Sequence, residues 1–244
     1  MNKTENWFKS WFDSPYYQLL YKDRDDVEAE FFIDNLFHAL QVPKNAKILD
    51  LACGRGRHSK FMNRKGCEVT GIDLSPQSIA FAKRYENARL KFQVHDLRFP
   101  FKENYFDYVV NLFTSFGYFE KDADDIAALT CAERALKKNG TLVIDFLNVE
   151  KAINNLKLKE EINYGGICFR IRRKISNGFI IKQIVVIDKD KRLEFHERVK
   201  ALGLSHFKNY FQQSGLKPVR LYGGYDLVDF DIKSSDRLIM VANK

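Results

Sequence analysis

The sequence predicts an α/β fold, in which a doubly wound, mostly parallel sheet carries a small antiparallel β insertion. Apolar runs of strand length alternate with helix-length segments between residues 48 and 147, as in parallel sheets. A glycine-bearing turn joins the first of these strands to a helix. From residue 161 to residue 199, strand patterns follow one another with no helical pattern between them, which predicts the insertion.

The opening unit of the sheet spans residues 48–73 and reads ILDLACGRGRHSKFMNRKGCEVTGID. A strand leads through Gly54 and Gly56 into a helix predicted over 57–64, and a second strand ends at Asp73. Glycine lets a ligand approach the backbone, and the first amide groups of a helix have no partner within it. The unit therefore predicts a site for a small-molecule cofactor.

The acidic residues of this unit and of the next strand indicate which cofactor would bind there. A dinucleotide site reads GxGxxG, but Ser59 stands at its third glycine, and Asp50 inside the first strand suits a cationic ligand. Asp73 and Asp96 follow the next two strands, and carboxyl ends of parallel strands form the ligand edge of such a sheet. S-adenosylmethionine, with its sulfonium and ammonium, fits an acid-lined crevice. A dehydrogenase would give Asp50 no role.

The elements after this unit continue the alternation. An amphipathic helix is predicted over 25–40, before the first strand, with Val27, Phe31, Leu36, Phe37 and Leu40 facing the sheet. Helices follow over 76–85, capped by Ser75, and over 122–138, ended by Asn139 and Gly140. Strands are predicted over 91–94, 106–112 and 141–147. A last helix capped by Ser205 precedes strands over 217–222 and 237–242.

Residues 48–148 and, less closely, 203–244 resemble the class I S-adenosylmethionine-dependent methyltransferases, which implies a seven-stranded Rossmann-like sheet. The resemblance implies that Asp73 takes both ribose hydroxyls, with Leu74 beside the adenine. It places Asp96 and Leu97 at the adenine edge. The methionine moiety and the methyl group would be held by Asp50, Ala52, Cys53, Gly54, Gly56, Asn111, Leu112 and Phe113. The family often has glycine where Ala52 stands.

The insertion also resembles one found in a branch of this family that includes sugar-amine N-methyltransferases, where it helps to wall the acceptor pocket. Asn177 and Gly178 predict a two-residue hairpin within it. Along its strands one face is predicted apolar and the other charged. We expect a helical arm or lid in residues 1–43, a cofactor-binding core in 44–149 and 201–244, and the insertion in 150–200.

Methyl transfer from a sulfonium is an in-line displacement, so the protein mainly aligns the acceptor and excludes water. An amine needs little more, whereas an alcohol or phenol calls for a base of matched pKa. The candidate aligning groups or bases are Tyr17, His58 and Tyr118. For His58, a histidine satisfied by backbone is the more common outcome. The aromatic segment 111–120 is expected to wall the chamber, although packing alone would explain many of its rings.

The N-terminal segment is unusually aromatic, and Pro15 prevents one continuous helix from burying all of its rings. Two interpretations stay open: a packing arm on the core, or a lid over the cofactor. In the lid hypothesis the first turns pack against residues 111–120, and Tyr16 and Tyr17 reach over the methionine end. The rings concerned are Trp7, Phe8, Trp11, Phe12, Tyr16, Tyr17 and Tyr21.

The composition argues against several other classes of protein. The four cysteines form no CxxC pair and no set with histidine at metal spacing, so a cytoplasmic protein with reduced thiols and no metal site is expected. The first residues, MNKTENWFKSWF, contain no continuous apolar stretch, and no run of 18 apolar residues occurs in the sequence, so we expect neither secretion nor a membrane partner.

The net charge of +8 is concentrated locally, because residues 150–200 hold 13 Lys and Arg against 7 Asp and Glu. The sequence thus favours an enzyme that methylates a nitrogen or oxygen of a small molecule. An RNA methyltransferase that uses the basic insertion is the alternative, together with a non-catalytic cofactor-binding protein.

Overall fold

The computed structural model describes residues 7–22 and 26–244, with side chains from residue 10 onward. The described residues divide into two compact units, one made of residues 7–22 with 153–201 and the other of 26–152 with 202–244. In chain order the elements are α1 (Trp7–Phe12), α2 (Pro15–Leu20), α3 (Asp26–Ala39), β1 (Lys47–Leu51), α4 (Arg57–Arg64), β2 (Glu68–Asp73), α5 (Pro76–Ala82), a 3₁₀ turn (Lys83–Tyr85), β3 (Leu90–Val94), β4 (Phe106–Asn111), α6 (Asp122–Ala135), β5 (Leu136–Leu147), α7 (Val149–Asn154), β6 (Lys159–Tyr164), β7 (Ile167–Ser176), β8 (Phe179–Asp188), β9 (Lys191–Lys200), α8 (Leu204–Gln213), β10 (Lys217–Tyr222) and β11 (Arg237–Asn243).

The larger unit is built on a seven-stranded sheet in the order β10-β11-β5-β4-β1-β2-β3. Strands β1 to β5 pair in parallel, while β11 runs antiparallel to both β5 and β10. The chain winds outward from β1 through β2 to β3 and then returns to β4 on the other side of β1. This order confirms the predicted doubly wound fold, and it places the topological switch point between β1 and β4.

The central strands are apolar on both faces, as parallel strands buried on both sides require. In β5, Leu142, Val143, Ile144 and Phe146 are all at most 1% exposed. Helix α3 buries Ala29, Phe32, Ile33 and Leu36. The prediction that Val27 and Phe31 face the sheet is wrong, because their exposed fractions are 72% and 51%.

Two predicted helix ends also differ from the structure. Helix α6 ends at Ala135 and β5 begins at Leu136, so Asn139, with φ 63°, and Gly140 form an irregularity within the strand instead of a helix C-terminus. Helix α8 begins at Leu204, and the Gly203 N–H donates to His206 Nδ1 at 3.1 Å, so Ser205 is not the cap. The Ser75 cap is confirmed by its 3.0 Å bond from the Ser78 N–H.

The smaller unit is a four-stranded antiparallel sheet in the order β6-β7-β8-β9. Asn177 and Gly178 join β7 to β8 with φ values of 50° and 74°, which confirms the predicted hairpin. One face of the sheet is covered by α1 and α2. Trp11, fully buried, and Leu20 pack there against Phe169, Ile184 and Val186.

Polar side chains reinforce this packing. Trp11 Nε1 and Tyr21 Oη each donate to Glu197 Oε1 at 2.6 Å, and Lys182 Nζ lies 2.8 Å from Glu197 Oε2. Tyr16 Oη donates to Asp188 Oδ2 at 2.8 Å. Trp11 is thus buried against this sheet, whereas the lid hypothesis placed the first turns against residues 111–120. The side chains of Trp7 and Phe8 lie outside the described residues.

Candidate functional site

The site begins at the carboxyl end of β1, where Asp50 is only 2% exposed and accepts a hydrogen bond of 2.5 Å from Ser59 Oγ. Ser59 lies on α4, so this bond joins the strand to the helix that follows it. Burial raises the pKa of Asp50 to about 7, and the nearby Asp73 charge adds to the shift, against the bond from Ser59. Asp50 is thus poised to change charge near neutral pH.

In the loop 52–56 that follows, three residues adopt the left-handed conformation, with φ values of 55° at Ala52, 56° at Gly54 and 79° at Gly56. A Cβ on Gly56 would come within 2.7 Å of the Phe92 ring, so this glycine is required for packing. A Cβ on Gly54 would meet nothing within 4 Å, which leaves open space above the backbone. Ala52 adopts at a cost of about 1–2 kcal/mol the conformation that glycine adopts freely, which explains the family's preference there.

Asp73 ties this loop to the next helix. Its Oδ2 accepts the Gly54 N–H at 2.9 Å, and its Oδ1 accepts the Ser75 N–H at 2.8 Å. The Cys53 N–H donates to the Ile72 carbonyl at 3.0 Å. A carboxylate has about four acceptor positions, and two of those of Asp73 hold the loop and the start of the next helix. Leu74 follows, partly exposed.

Asp96, after β3, is already engaged by a cation. Arg98 Nη2 lies 2.7 Å from Asp96 Oδ2, and Arg98 Nε lies 3.1 Å from Asp96 Oδ1. These bonds hold the pKa of Asp96 below its usual range. Leu97 lines a small apolar cavity of about 10 Å³ together with Leu51 and Ile72.

The end of β4 closes the other side of the switch point. Asn111 is 1% exposed, and its Nδ2 donates to the Leu51 carbonyl at 3.0 Å, while its Oδ1 is buried with no hydrogen-bond partner among the described residues. Leu112 is buried, and Phe113 follows with φ 67°. The Phe113 ring lies under the Arg57 guanidinium, 5.0 Å from its carbon, and its centroid is 6.2 Å from that of His58.

A family model described as a methyltransferase domain matches residues 48–140, which cover β1 to β4, α6 and the start of β5. These residues form a methyltransferase domain. The predicted resemblance to the S-adenosylmethionine-dependent methyltransferases is thereby confirmed for residues 48–140.

Several known proteins are similar to the chain along different lengths. Putative methyltransferase YqeM of Bacillus subtilis (strain 168) is 36% identical over 43% of this chain and 43% of its own length. Glycine/sarcosine N-methyltransferase of Parasynechococcus marenigrum (strain WH8102) is 25% identical over 91% of this chain and 78% of its own. dTDP-3-amino-3,4,6-trideoxy-alpha-D-glucopyranose N,N-dimethyltransferase of Streptomyces venezuelae is 25% identical over 75% and 81%. The chain thus spans less than half of the length of YqeM.

Solved structures show the same fold. An S-adenosylmethionine-dependent methyltransferase from Clostridium acetobutylicum ATCC 824 matches with a TM-score of 0.79 and 16% identity, covering 93% of this chain and 95% of that one. CalS10, an amino pentose methyltransferase from Micromonospora echinaspora, matches with a TM-score of 0.71 and 20% identity over 94% and 97%. At these identities the likeness establishes the fold alone.

The three candidate aligning groups differ in their settings. Burial lowers the pKa of His58 to about 3, with the Arg57 charge adding to the shift, so its imidazole is neutral at pH 7 and a weak base. Tyr118 Oη donates to the Thr114 carbonyl at 2.7 Å within the methyltransferase domain. Tyr17 belongs to the smaller unit, where its ring packs edge-on against Trp11 and Phe12, with centroids 5.6 and 5.1 Å away.

Sequence reasoning missed a buried network behind the β4 loop. Asp145 of β5, fully buried, accepts from the Phe113 N–H at 2.8 Å, from Arg237 Nε at 2.8 Å and from Tyr225 Oη at 3.1 Å. Arg237 Nη2 also donates to Thr114 Oγ1 at 2.8 Å. A charged residue inside the apolar run LVIDFL was a signal for it, because an ionised group is rarely buried without partners.

Two absences concern the described part of the chain. In residues 7–22 and 26–244, no group of three or more His, Cys, Asp and Glu side chains is placed to hold a metal ion. Within the same residues, no helix is both long and apolar enough to cross a membrane.

Proposed function

We propose that this chain transfers a methyl group from S-adenosylmethionine to a nitrogen or oxygen of a small molecule, with nitrogen as the favoured atom. The observation that carries the proposal is the loop 52–56 at the switch point, which is held open by Asp73 and flanked by the buried Asp50. In an open α/β sheet, ligands bind at this edge.

The residues at this edge fit the cofactor. The space above Gly54 admits a ligand against the backbone. Asp50 and Asn111 Oδ1, which has no hydrogen-bond partner among the described residues, are acceptors that match an ammonium donor, and the Asp73 carboxylate is the acceptor proposed for the ribose hydroxyls. When bound, S-adenosylmethionine supplies an electrophilic methyl group, whose bond to sulfur breaks as the acceptor lone pair forms the new bond and a proton leaves the acceptor.

The chain's own side chains favour an amine acceptor. His58 remains neutral at pH 7 but has a pKa near 3, which makes it too weak a base to deprotonate an alcohol. Tyr118 uses its hydroxyl hydrogen on the Thr114 carbonyl. An amine that arrives with a free lone pair needs only alignment and the exclusion of water. The two N-methyltransferase relatives support this choice.

The first experiment measures binding of S-adenosylhomocysteine by titration calorimetry. Asp73→Ala loses its acceptors for two hydroxyl donors, so we expect its affinity to fall by about 3 kcal/mol, more than a hundredfold. Asp107→Ala is the matched control, because Asp107 also accepts a backbone N–H, that of Lys47 at 2.8 Å. Asp107 lies near the amino end of β4, away from the carboxyl edge of the sheet where the cofactor is proposed to bind. The affinity of Asp107→Ala should match that of the wild type.

The second experiment measures turnover. The full chain is incubated with S-adenosylmethionine and glycine, sarcosine or D-glucosamine, with phenol as an oxygen acceptor, and products are detected by mass. Methylated amine without methylated phenol is the expected result. Tight cofactor binding without any product would favour the non-catalytic alternative, and equal affinity of wild type and Asp73→Ala would refute the assigned ribose site.

A further inference from the structure

The β4 loop contains two adjacent residues that are not glycine and yet adopt the left-handed conformation, Phe113 at φ 67° and Thr114 at φ 57°. Each such residue costs about 1–2 kcal/mol, so other contacts must hold the pair in place. Two hydrogen bonds from the loop amides to Asp145 do so. The Phe113 N–H donates to Asp145 Oδ2 at 2.8 Å, and the Thr114 N–H donates to the Asp145 carbonyl at 2.9 Å.

The Asp145 carboxylate is itself fixed by a largely buried cation. Arg237 on β11 approaches Asp145 Oδ1 through Nε at 2.8 Å and Nη2 at 2.7 Å, and its side chain is 20% exposed. The same Nη2 reaches Thr114 Oγ1 at 2.8 Å. Arg237 therefore binds both the Asp145 carboxylate and Thr114 of the β4 loop, which Asp145 also binds.

A phenol completes the network and connects it to α3. Tyr225 Oη donates to Asp145 Oδ2 at 3.1 Å, and its ring stacks on Phe32 with centroids 4.4 Å apart. Asn35 Nδ2 donates to the Tyr225 carbonyl at 2.9 Å. Burial, with the adjacent Asp145 charge, raises the pKa of Tyr225, so its hydroxyl stays protonated and remains a donor.

We propose that Asp145 is a positioning residue for the acceptor, and that Arg237 and Tyr225 assist it. By fixing Phe113 and Thr114 in the left-handed conformation, it sets the wall of the chamber in which the acceptor meets the methyl group. This inference rests on the proposed methyl transfer. Asp50, Gly54 and Asp73, which are assigned to the cofactor, lie on β1, β2 and their loops, and only the assigned segment 111–113 adjoins the network. We therefore expect the network to affect acceptor affinity more than cofactor affinity.

The test compares Asp145→Asn with Asp107→Asn. Both wild-type carboxylates accept one backbone N–H and pair with one cation, since Asp107 Oδ1 lies 2.6 Å from Lys137 Nζ. In Asp145→Asn the single remaining oxygen cannot serve both the Phe113 N–H and Arg237, because the new amide group is a donor. Hydrogen exchange at the Phe113 and Thr114 amides should accelerate about tenfold or more beyond the change in global stability.

The kinetic readout separates positioning from folding. For the amine that the wild type methylates, Asp145→Asn should raise the acceptor KM about tenfold or more, while its affinity for S-adenosylhomocysteine stays within about threefold. Tyr225→Phe removes only the 3.1 Å bond, and it should shift KM in the same direction by less. Asp107→Asn should lower the melting temperature without changing KM or the exchange of these two amides.

Two outcomes would overturn the inference. One is an Asp145→Asn enzyme whose Phe113 and Thr114 amides exchange as in the wild type. The other is an equal loss of cofactor and acceptor affinity, which would make Asp145 a general structural residue. If no tested amine or phenol is methylated, the exchange and cofactor-binding readouts still decide the role of Asp145 in the loop, while the proposed function fails separately.

Discussion

At the scale of single residues, Asp50 is the group whose ionisation matters most. Its ordinary pKa of 3.8 rises to about 7 because burial disfavours the charged carboxylate. The folded state therefore retains a proton that the unfolded state loses above about pH 4. The stabilising contribution of this proton is full below that pH, and it is lost as the pH rises to 7.

Ligand binding should reverse this preference. A cationic ammonium placed beside Asp50 favours its charged form, so binding must release the proton wherever Asp50 is still protonated. We predict that the affinity for S-adenosylhomocysteine falls about fivefold from pH 7 to pH 6 and about fiftyfold from pH 7 to pH 5. Calorimetry in buffers of different ionisation enthalpy would count the released protons.

Asp50→Asn supplies the control for this dependence, because it keeps the shape and one acceptor for Ser59 Oγ, but does not titrate. Its affinity should be lower at pH 7 and flat between pH 5 and pH 7. A pH slope that persists in Asp50→Asn would assign the dependence to another group. A flat slope in the wild type would show that the ligand ammonium does not contact Asp50.

At the scale of elements, strands and their ends were predictable because buried parallel strands are continuous apolar runs bounded by polar residues. For that reason the sequence pattern alone places Asp50, Asp73 and Asn111 at one edge of the sheet. Helix faces were less predictable. Val27 and Phe31 fit an apolar stripe, but the buried stripe of α3 runs through Ala29, Phe32 and Ile33. Small Ala29 carries little signal in a pattern of hydrophobicity.

The network behind the β4 loop was beyond sequence reasoning for a different reason. Asp145 contacts Phe113, Tyr225 and Arg237, which lie 32, 80 and 92 positions away along the chain. These contacts depend on the pairing of β5 with β4 and β11, and no local pattern encodes that pairing. The role of Glu197 was missed for the same reason. It lies on the apolar face of β9, and its charge is neutralised by Lys182, which the pairing of β8 with β9 places opposite it.

Glu197 gives a prediction about the smaller unit. Burial works to raise its pKa, but Lys182 and the bonds from Tyr21 and Trp11 outweigh it and hold the pKa below its usual range. Glu197→Gln would leave the largely buried Lys182 ammonium without its counter-charge. We expect a loss of about 2–3 kcal/mol in the free energy of unfolding of this unit.

Urea unfolding followed by tryptophan fluorescence measures this loss, since both tryptophans of the chain lie in the N-terminal segment. Glu194→Gln is the matched control on the same strand, where the side chain is 44% exposed and contacts His196. Its change should stay within about 0.5 kcal/mol. Equal stability of Glu197→Gln and Glu194→Gln would show that apolar packing alone holds α1 and α2 on the sheet.

At the scale of the whole molecule, the charge of +8 bears on the choice of acceptor. Part of the basic charge of the insertion is neutralised internally, because Arg170 Nε lies 3.0 Å from Glu161 and Arg173 Nη2 lies 2.6 Å from Glu160. Arg170, Arg172 and Arg192 line a concavity of about 150 Å³ with Gln183 and Val185. Among the residues that the structure describes, no aromatic side chain lines this concavity.

A surface that binds single-stranded RNA combines basic groups with aromatic rings on which bases stack. On the smaller unit's sheet, the ring of Phe179 is buried and lies under the Arg198 guanidinium, 3.6 Å from its carbon, so it is not free to stack on a base. We therefore predict only weak, sequence-independent attraction, with no tight complex at about 0.15 M salt. Fluorescence anisotropy with a labelled RNA of about 20 nucleotides, titrated at several salt concentrations, measures it.

The double variant Arg172→Ala with Arg192→Ala tests whether this weak attraction for RNA has a role in methyl transfer. It removes two cations from the concavity without touching the residues assigned to the cofactor, so methylation of a small amine should be unchanged within about twofold. Any residual RNA binding at low salt should weaken, and the dependence of log Kd on log salt should become shallower. Tight wild-type binding at about 0.15 M salt that the variant loses, together with RNA methylation, would instead make the basic insertion the acceptor site and replace the small-molecule proposal.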